Sequence, residues 1–159
     1  MRRRLAGIAL GSTLLLGTSA CGGPTVSEVG SQLQRDGSEV LTKAVETEAA
    51  DGVKPTITED GSKDEACPDG KVKRVYAGSF PFEPNSDVDS TFDLAFKSVL
   101  GQLDNERYEL SRPPDSDDLN RREFVATSKD DGNITLTVTF TAGPAPTFAL
   151  RGETKCLSS

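Results

Sequence analysis

The most regular pattern of apolar and polar side chains lies between residues 134 and 141. Four apolar residues alternate there with four threonines: Ile134, Thr135, Leu136, Thr137, Val138, Thr139, Phe140 and Thr141. Side chains along a β-strand point to opposite faces in turn, so the alternation predicts a strand with one buried face and one wet face. Asp131 and Gly132 come just before it and predict a hairpin turn, because these residue types tolerate positive φ angles.

A second clear pattern predicts a helix over residues 88–103. Seven apolar side chains recur there at helical intervals and form a single stripe: Val88, Phe92, Ala95, Phe96, Val99, Leu100 and Leu103. Such a stripe is typical of a helix that packs one side against a core. Ser86 or Asp87 can cap the start of this helix, and Asp89 adds negative charge to the first turn, where the helix dipole favours it.

Shorter apolar segments predict the other strands, which cover residues 71–80, 108–111 and 123–127, with a last strand running from Phe148 toward Cys156. The predicted order of strand, helix, strand, hairpin and strand favours an α+β fold. We therefore expect one small domain over residues 58–159, built from an antiparallel sheet of four to five strands and one packed helix.

The segment before this domain predicts a further helix, from about Val26 to Ala50. Gly37 interrupts the apolar periodicity and predicts a break or kink, after which Ser38 can cap a second helical segment. This helix either docks on the domain or spaces it from a membrane. A helix lying in the membrane surface is disfavoured, because its polar side is mixed in charge and it lacks large aromatic side chains. Residues 58–70 are polar and rich in turn-forming residues, and we expect the domain boundary there.

The first 21 residues indicate export. Arg2, Arg3 and Arg4 precede an uncharged apolar run, and small residues lead to Cys21. A spanning helix needs about 20 apolar residues, more than this run provides, whereas a basic head, a short apolar core and a small-residue exit describe a cleavable signal peptide. The paired arginines also leave open which export route, general secretion or twin-arginine, the chain takes.

The signal with its cysteine resembles the lipobox of bacterial lipoproteins, although Thr18 stands where that family prefers leucine. The resemblance implies that residues 1–20 are removed, that Cys21 carries a lipid, and that residues 21–57 form a lipidated tether and helix. Ordinary cleavage after Ala20 is the alternative. Length and composition are similar to small lipoproteins of high-GC Gram-positive bacteria, which implies a lipid-anchored position on the outer face of the cell membrane.

The number of cysteines agrees with this interpretation. The chain has three, and an exported protein with an odd count is expected to commit one thiol elsewhere, here Cys21 to the lipid. Cys67 and Cys156 then remain as a disulfide pair in a compartment where disulfides persist. The bond would stabilise the domain by at most about 4 to 5 kcal/mol, and it would bring the first and last predicted strands together in antiparallel orientation.

Charge and composition exclude several functions. Twenty-five acidic residues face eighteen basic ones, giving a net charge of −7, and removing the three signal arginines makes it about −10. Such a chain is repelled by nucleic acid. The sequence has no histidine, so it offers no histidine-activated nucleophile and no usual zinc ligand set. We expect no catalytic residue, no metal site and no cofactor.

Three acidic or polar features have a structural explanation. Asp87, Asp89 and Asp93 lack the glycine and the closing glutamate of a calcium-binding loop at the required spacing, so helix capping explains them better. The acidic run 115–120 predicts a solvated turn, although its carboxylates could hold a cation. Asn133 begins a glycosylation triplet, but the signal is bacterial in type, so we interpret Asn133 as part of the hairpin.

Two functional hypotheses remain. The first is a tethered interaction module, which presents its sheet edge or its threonine-rich face to an envelope protein or to wall polymer. The second is a carrier that holds a small apolar or cationic ligand between sheet and helix. A carrier needs a cavity of about 300 Å³ or more, and a packed interior under Phe92, Phe96 and Phe140 would count against it.

Overall fold

A computed structural model describes residues 23–82, 88–105, 107–111 and 120–159. In these residues the order of elements is helix α1 (Val26–Glu48), strand β1 (Thr56–Ala66), a 3₁₀ turn (Pro68–Gly70), β2 (Val72–Pro81), helix α2 (Val88–Asn105), β3 (Tyr108–Ser111), β4 (Arg121–Ser128), β5 (Ile134–Thr141) and β6 (Thr147–Thr154). The expected cap at Ser86 or Asp87 and residues 115–119 of the acidic run lie outside the described residues.

The described strands form one antiparallel sheet in the order β1-β2-β6-β5-β4-β3. The α+β prediction is confirmed, and the strands expected at 71–80, 108–111 and 123–127 are present within about two residues. The sheet has six strands instead of four to five, and two helices pack on it instead of one. The last strand in sequence, β6, lies inside the sheet between β2 and β5.

The extra strand is β1, in a segment where we expected turns. Ten of its eleven side chains are exposed and Gly61 alone is buried, so the strand carries no apolar alternation for sequence analysis to detect. It lies at the edge of the sheet and is irregular between Ile57 and Glu59 and between Asp60 and Asp64. Charged side chains and bulges on an edge strand hinder pairing with another chain.

Helix α1 is continuous, which corrects the expected break at Gly37. Its start is fixed by a capping box, in which the Thr25 hydroxyl accepts a hydrogen bond from the Glu28 amide at 3.4 Å and the Glu28 carboxylate accepts one from the Thr25 amide at 3.0 Å. Gly37 is buried, and a Cβ atom added there would lie 2.6 Å from Cδ1 of Tyr76 on β2. The glycine therefore allows close contact between helix and sheet.

The apolar side of α1 belongs to the same core as the sheet. Leu33, Val40 and Ala44 are completely buried together with residues of all the central strands. A Cβ atom added at Gly152 of β6 would lie 2.5 Å from Leu33, so α1 also lies close to the last strand. The helix thus docks on the sheet and shares its core, which decides between the two positions expected for it.

Helix α2 packs beside α1 on the same face of the sheet. Phe92, Ala95, Val99 and Leu103 are buried, as their stripe predicted. The side chains of Val88, Asp89 and Leu100 are outside the described part. Because both helices cover one face, the inward residues of β5 are buried and its threonines Thr135, Thr137 and Thr139 are half-buried on the other face.

Candidate functional site

The predicted disulfide joins Cys67 and Cys156, whose Cα atoms are 6.0 Å apart and which are separated by 89 residues. Cys67 lies at the turn between β1 and β2, and Cys156 follows β6. Next to the bond, Val72 and Leu157 exchange backbone hydrogen bonds of 3.0 and 2.9 Å. The prediction that the strands beside the two cysteines are antiparallel neighbours is confirmed, because β2 pairs with β6.

The start of α1 lies at this same end of the domain. The Val26 amide donates a hydrogen bond to the carbonyl of Ser158 at 3.0 Å. We call the group formed by Val26, Ser158 and the Cys67–Cys156 bond the disulfide end. Cys21 lies outside the described residues, and only Gly22, Gly23, Pro24 and Thr25 separate it from α1.

The face of the sheet opposite the helices is the candidate interaction surface. We call it the open face and define it by the outward residues of β2, β4, β5 and β6: Lys73, Val75, Ala77, Ser79, Pro81, Arg121, Glu123, Val125, Thr127, Thr135, Thr137, Thr139, Thr141, Thr147, Ala149, Arg151 and Glu153. Six of these seventeen residues are threonines. No described helix or strand covers this face, although Val75 is buried within it.

The strand register places the open-face residues in rows across the sheet. One row contains Glu123, Thr139, Ala149 and Ser79, and the next contains Val125, Thr137, Arg151 and Ala77. Short apolar groups and hydroxyls therefore surround Arg151 in the middle of the face. The alternation in the sequence predicts that the threonines face water. It cannot predict the rows, because these depend on which strands pair with one another.

The charged side chains of the open face neutralise one another. Arg121 contacts Glu123 at 2.6 Å, and Glu153 lies between Arg151 at 2.7 Å and Lys73 at 2.9 Å. The hydrogen bond from Lys73 keeps the pKa of Glu153 below its ordinary value, with a smaller contribution from Arg151. Three cations and two anions leave this face almost neutral, on a chain whose net charge is −7.

The interior is filled by aromatic rings. All seven phenylalanines of the chain belong to one network of ring contacts, with centroids 4.8 to 6.4 Å apart. Phe92, Phe96 and Phe140, which would line the cavity of a carrier, pack against one another or against Phe124. A ligand of about 300 Å³ would have to separate these rings.

A depression of about 520 Å³ lies on the solvent side of α1. Its described lining is polar and comes from this helix alone: Arg35, Ser38, Glu39, Thr42, Lys43 and Glu46. None of these residues is buried, and Ser38 alone among them reaches the core, where it forms a hydrogen bond with Tyr76. The side chains that line it within the described residues are all polar or charged, whereas small-ligand sites in proteins are lined mostly by hydrophobic and aromatic side chains.

One buried polar contact in the structure has no recognisable signal in the sequence. Asp36 of α1 accepts a hydrogen bond from the hydroxyl of Tyr108 on β3 at 2.9 Å, and both residues are buried. The partners are 72 residues apart, and an aspartate at a helical core position carries no signal that names its partner. The contact joins α1 to β3, the edge strand at the opposite end of the sheet from β1.

The acidic residues of the β4–β5 turn have structural partners. The Asp131 carboxylate accepts hydrogen bonds from the Ser128 hydroxyl at 2.8 Å and from the backbone and side-chain amides of Asn133 at 2.9 and 2.8 Å. The hydrogen bond from the Asn133 backbone is the main reason that the pKa of Asp131 is lowered. Gly132 adopts a φ of 62°, as the hairpin prediction required. Asn133 thus stabilises the turn through its two hydrogen bonds to Asp131.

Neither metal ligation nor membrane crossing has support in the described residues. They bring together no group of three histidine, cysteine, aspartate or glutamate side chains that could hold a metal ion. Of the candidate calcium ligands, Asp93 is exposed, and the side chains of Asp87 and Asp89 lie outside the description. The helices that the structure describes are too short or too polar to cross a membrane.

Comparison with known proteins identifies a fold neighbour. No protein-family model and no curated protein matches the chain. The crystal structure of a DUF4853 family protein from Actinomyces odontolyticus superposes with a TM-score of 0.56 at 18% sequence identity, covering 86% of this chain and 71% of the other. At this identity the likeness is one of fold. The chain is therefore similar in architecture to an uncharacterised family found in a high-GC Gram-positive bacterium.

Proposed function

We propose that this protein is a non-catalytic interaction module, held on the outer face of the cell membrane by a lipid on Cys21, and that it binds an envelope protein through the open face. The observation that carries the proposal is the open face itself. It is a broad sheet surface, left uncovered by the described elements and almost neutral on an acidic chain. A surface without net charge can approach a protein partner without long-range repulsion.

The chemistry of the face favours protein over wall polymer as the partner. Sugar rings commonly stack on aromatic side chains, because the C–H groups on one face of the sugar pack against the apolar ring. The chain has seven phenylalanines, two tyrosines and no tryptophan, and all nine aromatic residues lie on the helix side of the sheet. The open face offers hydroxyls, methyl groups and paired charges instead, which suit another polypeptide surface.

The position of α1 supports a short tether. Its capping box begins at Thr25, four residues after Cys21. Four residues span at most about 14 Å, so a lipid on Cys21 would hold the disulfide end close to the bilayer. The β-strands run away from this end, and the open face would then stand upright on the membrane and be accessible from the side.

The test is crosslinking in intact cells followed by affinity purification of the full-length protein. Thr137→Arg places a long cation in the middle of the open face, while Thr42→Arg makes the same change on the exposed side of α1. We expect Thr137→Arg to lose envelope partners and Thr42→Arg to keep them. Cys21→Ser should release the protein from the membrane fraction and change its partner list.

Mass measurement of the processed protein tests the anchor separately. A diacylated Cys21 at the amino end is the expected product. An unmodified amino end would refute lipid anchoring, and identical partner lists from wild type, Thr137→Arg and Cys21→Ser would refute the role assigned to the open face.

A further inference from the structure

We propose that Asp51 is a site of spontaneous backbone modification, at which aspartate isomerises to isoaspartate through a cyclic succinimide. Aspartate followed by glycine is the sequence that this reaction needs, and the chain contains it five times: at residues 36–37, 51–52, 60–61, 69–70 and 131–132. The structure restrains four of these pairs and leaves the pair at Asp51 able to react. The inference does not depend on the anchor or on the open face.

The chemistry involves the backbone nitrogen that follows the aspartate. This nitrogen attacks the side-chain Cγ atom, a C–N bond forms, and the amide hydrogen and a carboxyl hydroxyl leave as water. Water then opens the five-membered ring, and opening at the main-chain carbonyl leaves the chain running through the former side chain, which is isoaspartate. Water is lost in the first step and regained in the second, so no other reactant is needed. Glycine favours the attack because it has no Cβ atom in the way.

The backbone conformation controls whether the ring can close. Cβ and the attacking nitrogen must lie on the same side of the Cα–C bond, and neither helical nor extended ψ angles provide this arrangement. The aspartate must therefore rotate about ψ. A hydrogen bond from the attacking amide or to the carboxylate must also be broken first. Regular structure, a bonded amide and a bonded carboxylate each slow the reaction.

Two pairs are restrained by both backbone and side chain. Asp36 is buried inside α1, where backbone amides belong to the helical hydrogen bonds, and its carboxylate accepts a hydrogen bond from the Tyr108 hydroxyl at 2.9 Å. The Asp131 carboxylate accepts three hydrogen bonds, and the Gly132 amide donates to the Ser128 carbonyl at 2.9 Å. Both aspartates should react slowly while the protein is folded.

Two further pairs are restrained in part. The Asp60 carboxylate accepts hydrogen bonds from the hydroxyl and the amide of Ser62 at 2.6 and 3.0 Å, which lower the pKa of Asp60 and keep it in the less reactive ionised form. Asp69 is exposed, but it lies in the tight turn between β1 and β2 with a φ of 61°. That turn is closed by the disulfide bond at Cys67 and by a 2.9 Å hydrogen bond from the Cys67 amide to the Lys71 carbonyl.

The pair at Asp51 has none of these restraints. It lies between α1 and β1, and both of its residues are exposed. Within the described residues, neither the Asp51 carboxylate nor the Gly52 amide forms a hydrogen bond. One hydrogen bond closes the turn, from the Val53 amide to the Ala50 carbonyl at 3.2 Å. A Cβ atom added at Gly52 would meet nothing within 4 Å, so there is space beside the attacking nitrogen.

The product should keep the fold. Isoaspartate adds one methylene group to the main chain, and here the addition falls in the connection between α1 and β1, outside every described helix and strand. The same addition at Asp36 would interrupt α1. We therefore expect modified and unmodified protein to have the same circular dichroism spectrum.

The experiment incubates the folded full-length protein at neutral pH in water enriched in oxygen-18. Peptides are then separated, and isoaspartate is identified by mass spectrometry with fragmentation that distinguishes it from aspartate. Isoaspartate should form at Asp51 at least about tenfold faster than at Asp36 or Asp131, since 1.4 kcal/mol, about one hydrogen bond to a charged group, corresponds to that factor. It should contain one heavy oxygen from ring opening.

The same chain in urea is the control for local sequence. Without the fold, the five pairs should react at similar rates. If Asp51 is faster in urea by the same factor as in the folded protein, local sequence selects it and the inference is overturned. A rate in the folded protein that is no higher at Asp51 than at the other four pairs also overturns it, as does isoaspartate without heavy oxygen.

A variant tests whether hydrogen bonding to the carboxylate is what protects the other pairs. Asn133→Ala removes one hydrogen bond from Asp131, so isoaspartate should form faster at Asp131 and at an unchanged rate at Asp51. Asp36 reports unfolding in the same digest, because it can react only when α1 opens. An unchanged rate at Asp131 overturns the explanation. A faster rate at Asp36 as well would indicate unfolding, and Ser128→Ala, which removes the bond from the Ser128 hydroxyl, then decides by the same criterion.

Discussion

Replacing Gly37 by alanine should destabilise the protein, although the same change usually stabilises a helix. Alanine is better than glycine in a helix interior by about 0.8 to 1.0 kcal/mol. Against this gain, the new Cβ atom would lie 2.6 Å from Cδ1 of Tyr76, whereas ordinary contacts begin at 3.4 Å. The helix or the ring must therefore move by about 0.8 Å in a packed interior.

The size of the loss follows from how firmly Tyr76 is held. Tyr76 is 4% exposed, and it forms a hydrogen bond with Ser38, the residue that follows Gly37 on α1. Overpacking of this kind costs about 1 to 3 kcal/mol. Since a rigid ring cannot move aside as a flexible chain end can, we expect a cost near the upper limit and a net loss of about 1 to 2 kcal/mol.

Gly101→Ala is the matched control. Gly101 lies inside α2 and is exposed, and an added Cβ atom meets nothing within 4 Å. Only the helix propensity then changes, so this substitution should stabilise the protein by about 0.5 to 1 kcal/mol. Urea unfolding followed by circular dichroism measures both variants on the same scale.

A double-mutant cycle tests the cause of the loss. In the background of Tyr76→Leu the ring is absent, and Gly37→Ala should become neutral or stabilising. If Gly37→Ala alone stabilises the protein as much as Gly101→Ala does, the close contact between α1 and β2 is not a constraint on the sequence and the reasoning is refuted.

Three further predictions concern other parts of the fold. Cys67→Ser should lower the free energy of unfolding by as much as about 4 kcal/mol, because the bond closes a long loop; Cys156→Ser should match it in urea unfolding, and an unchanged midpoint contradicts the prediction. Tyr108→Phe removes the hydrogen bond to Asp36 at 2.9 Å and should cost about 1 to 3 kcal/mol in the same assay; a loss below about 0.5 kcal/mol contradicts it. Burial raises the pKa of Tyr76 above 10.0, so the folded state disfavours the phenolate. That stability is present below pH 10 and is lost as the pH rises through the folded-state pKa. Tyr76→Phe should reduce the alkaline loss of stability, and an equal loss in the variant contradicts the assignment.

The hairpin from β4 to β5 shows what sequence can predict. Asp131 and Gly132 determine the local turn, and the alternation from Ile134 to Thr141 determines which side of β5 is buried. Both signals arise between neighbouring residues. The disulfide was also predictable, because cysteine count and export together left one pair.

The wrong predictions concern residues whose role depends on a partner that is distant in the sequence. Gly37 resembles a helix breaker in sequence, but it is required by the ring of Tyr76, 39 positions later. Strand β1 lacks apolar alternation because it is an exposed edge, and only its pairing with β2 makes it a strand. The rows of the open face likewise depend on pairings between strands, so sequence predicted its threonines but not which residues lie beside them.

The place of β6 has a consequence for how the protein is made. Until residues 147–154 have emerged, β1–β2 and β3–β5 are separate ribbons, and Leu33 of the first helix has no Gly152 to pack against. The core is therefore completed only when β6 is available. Its contacts join distant parts of the chain, which slows folding. A chain built in this way cannot complete its core until its final strand has been synthesised.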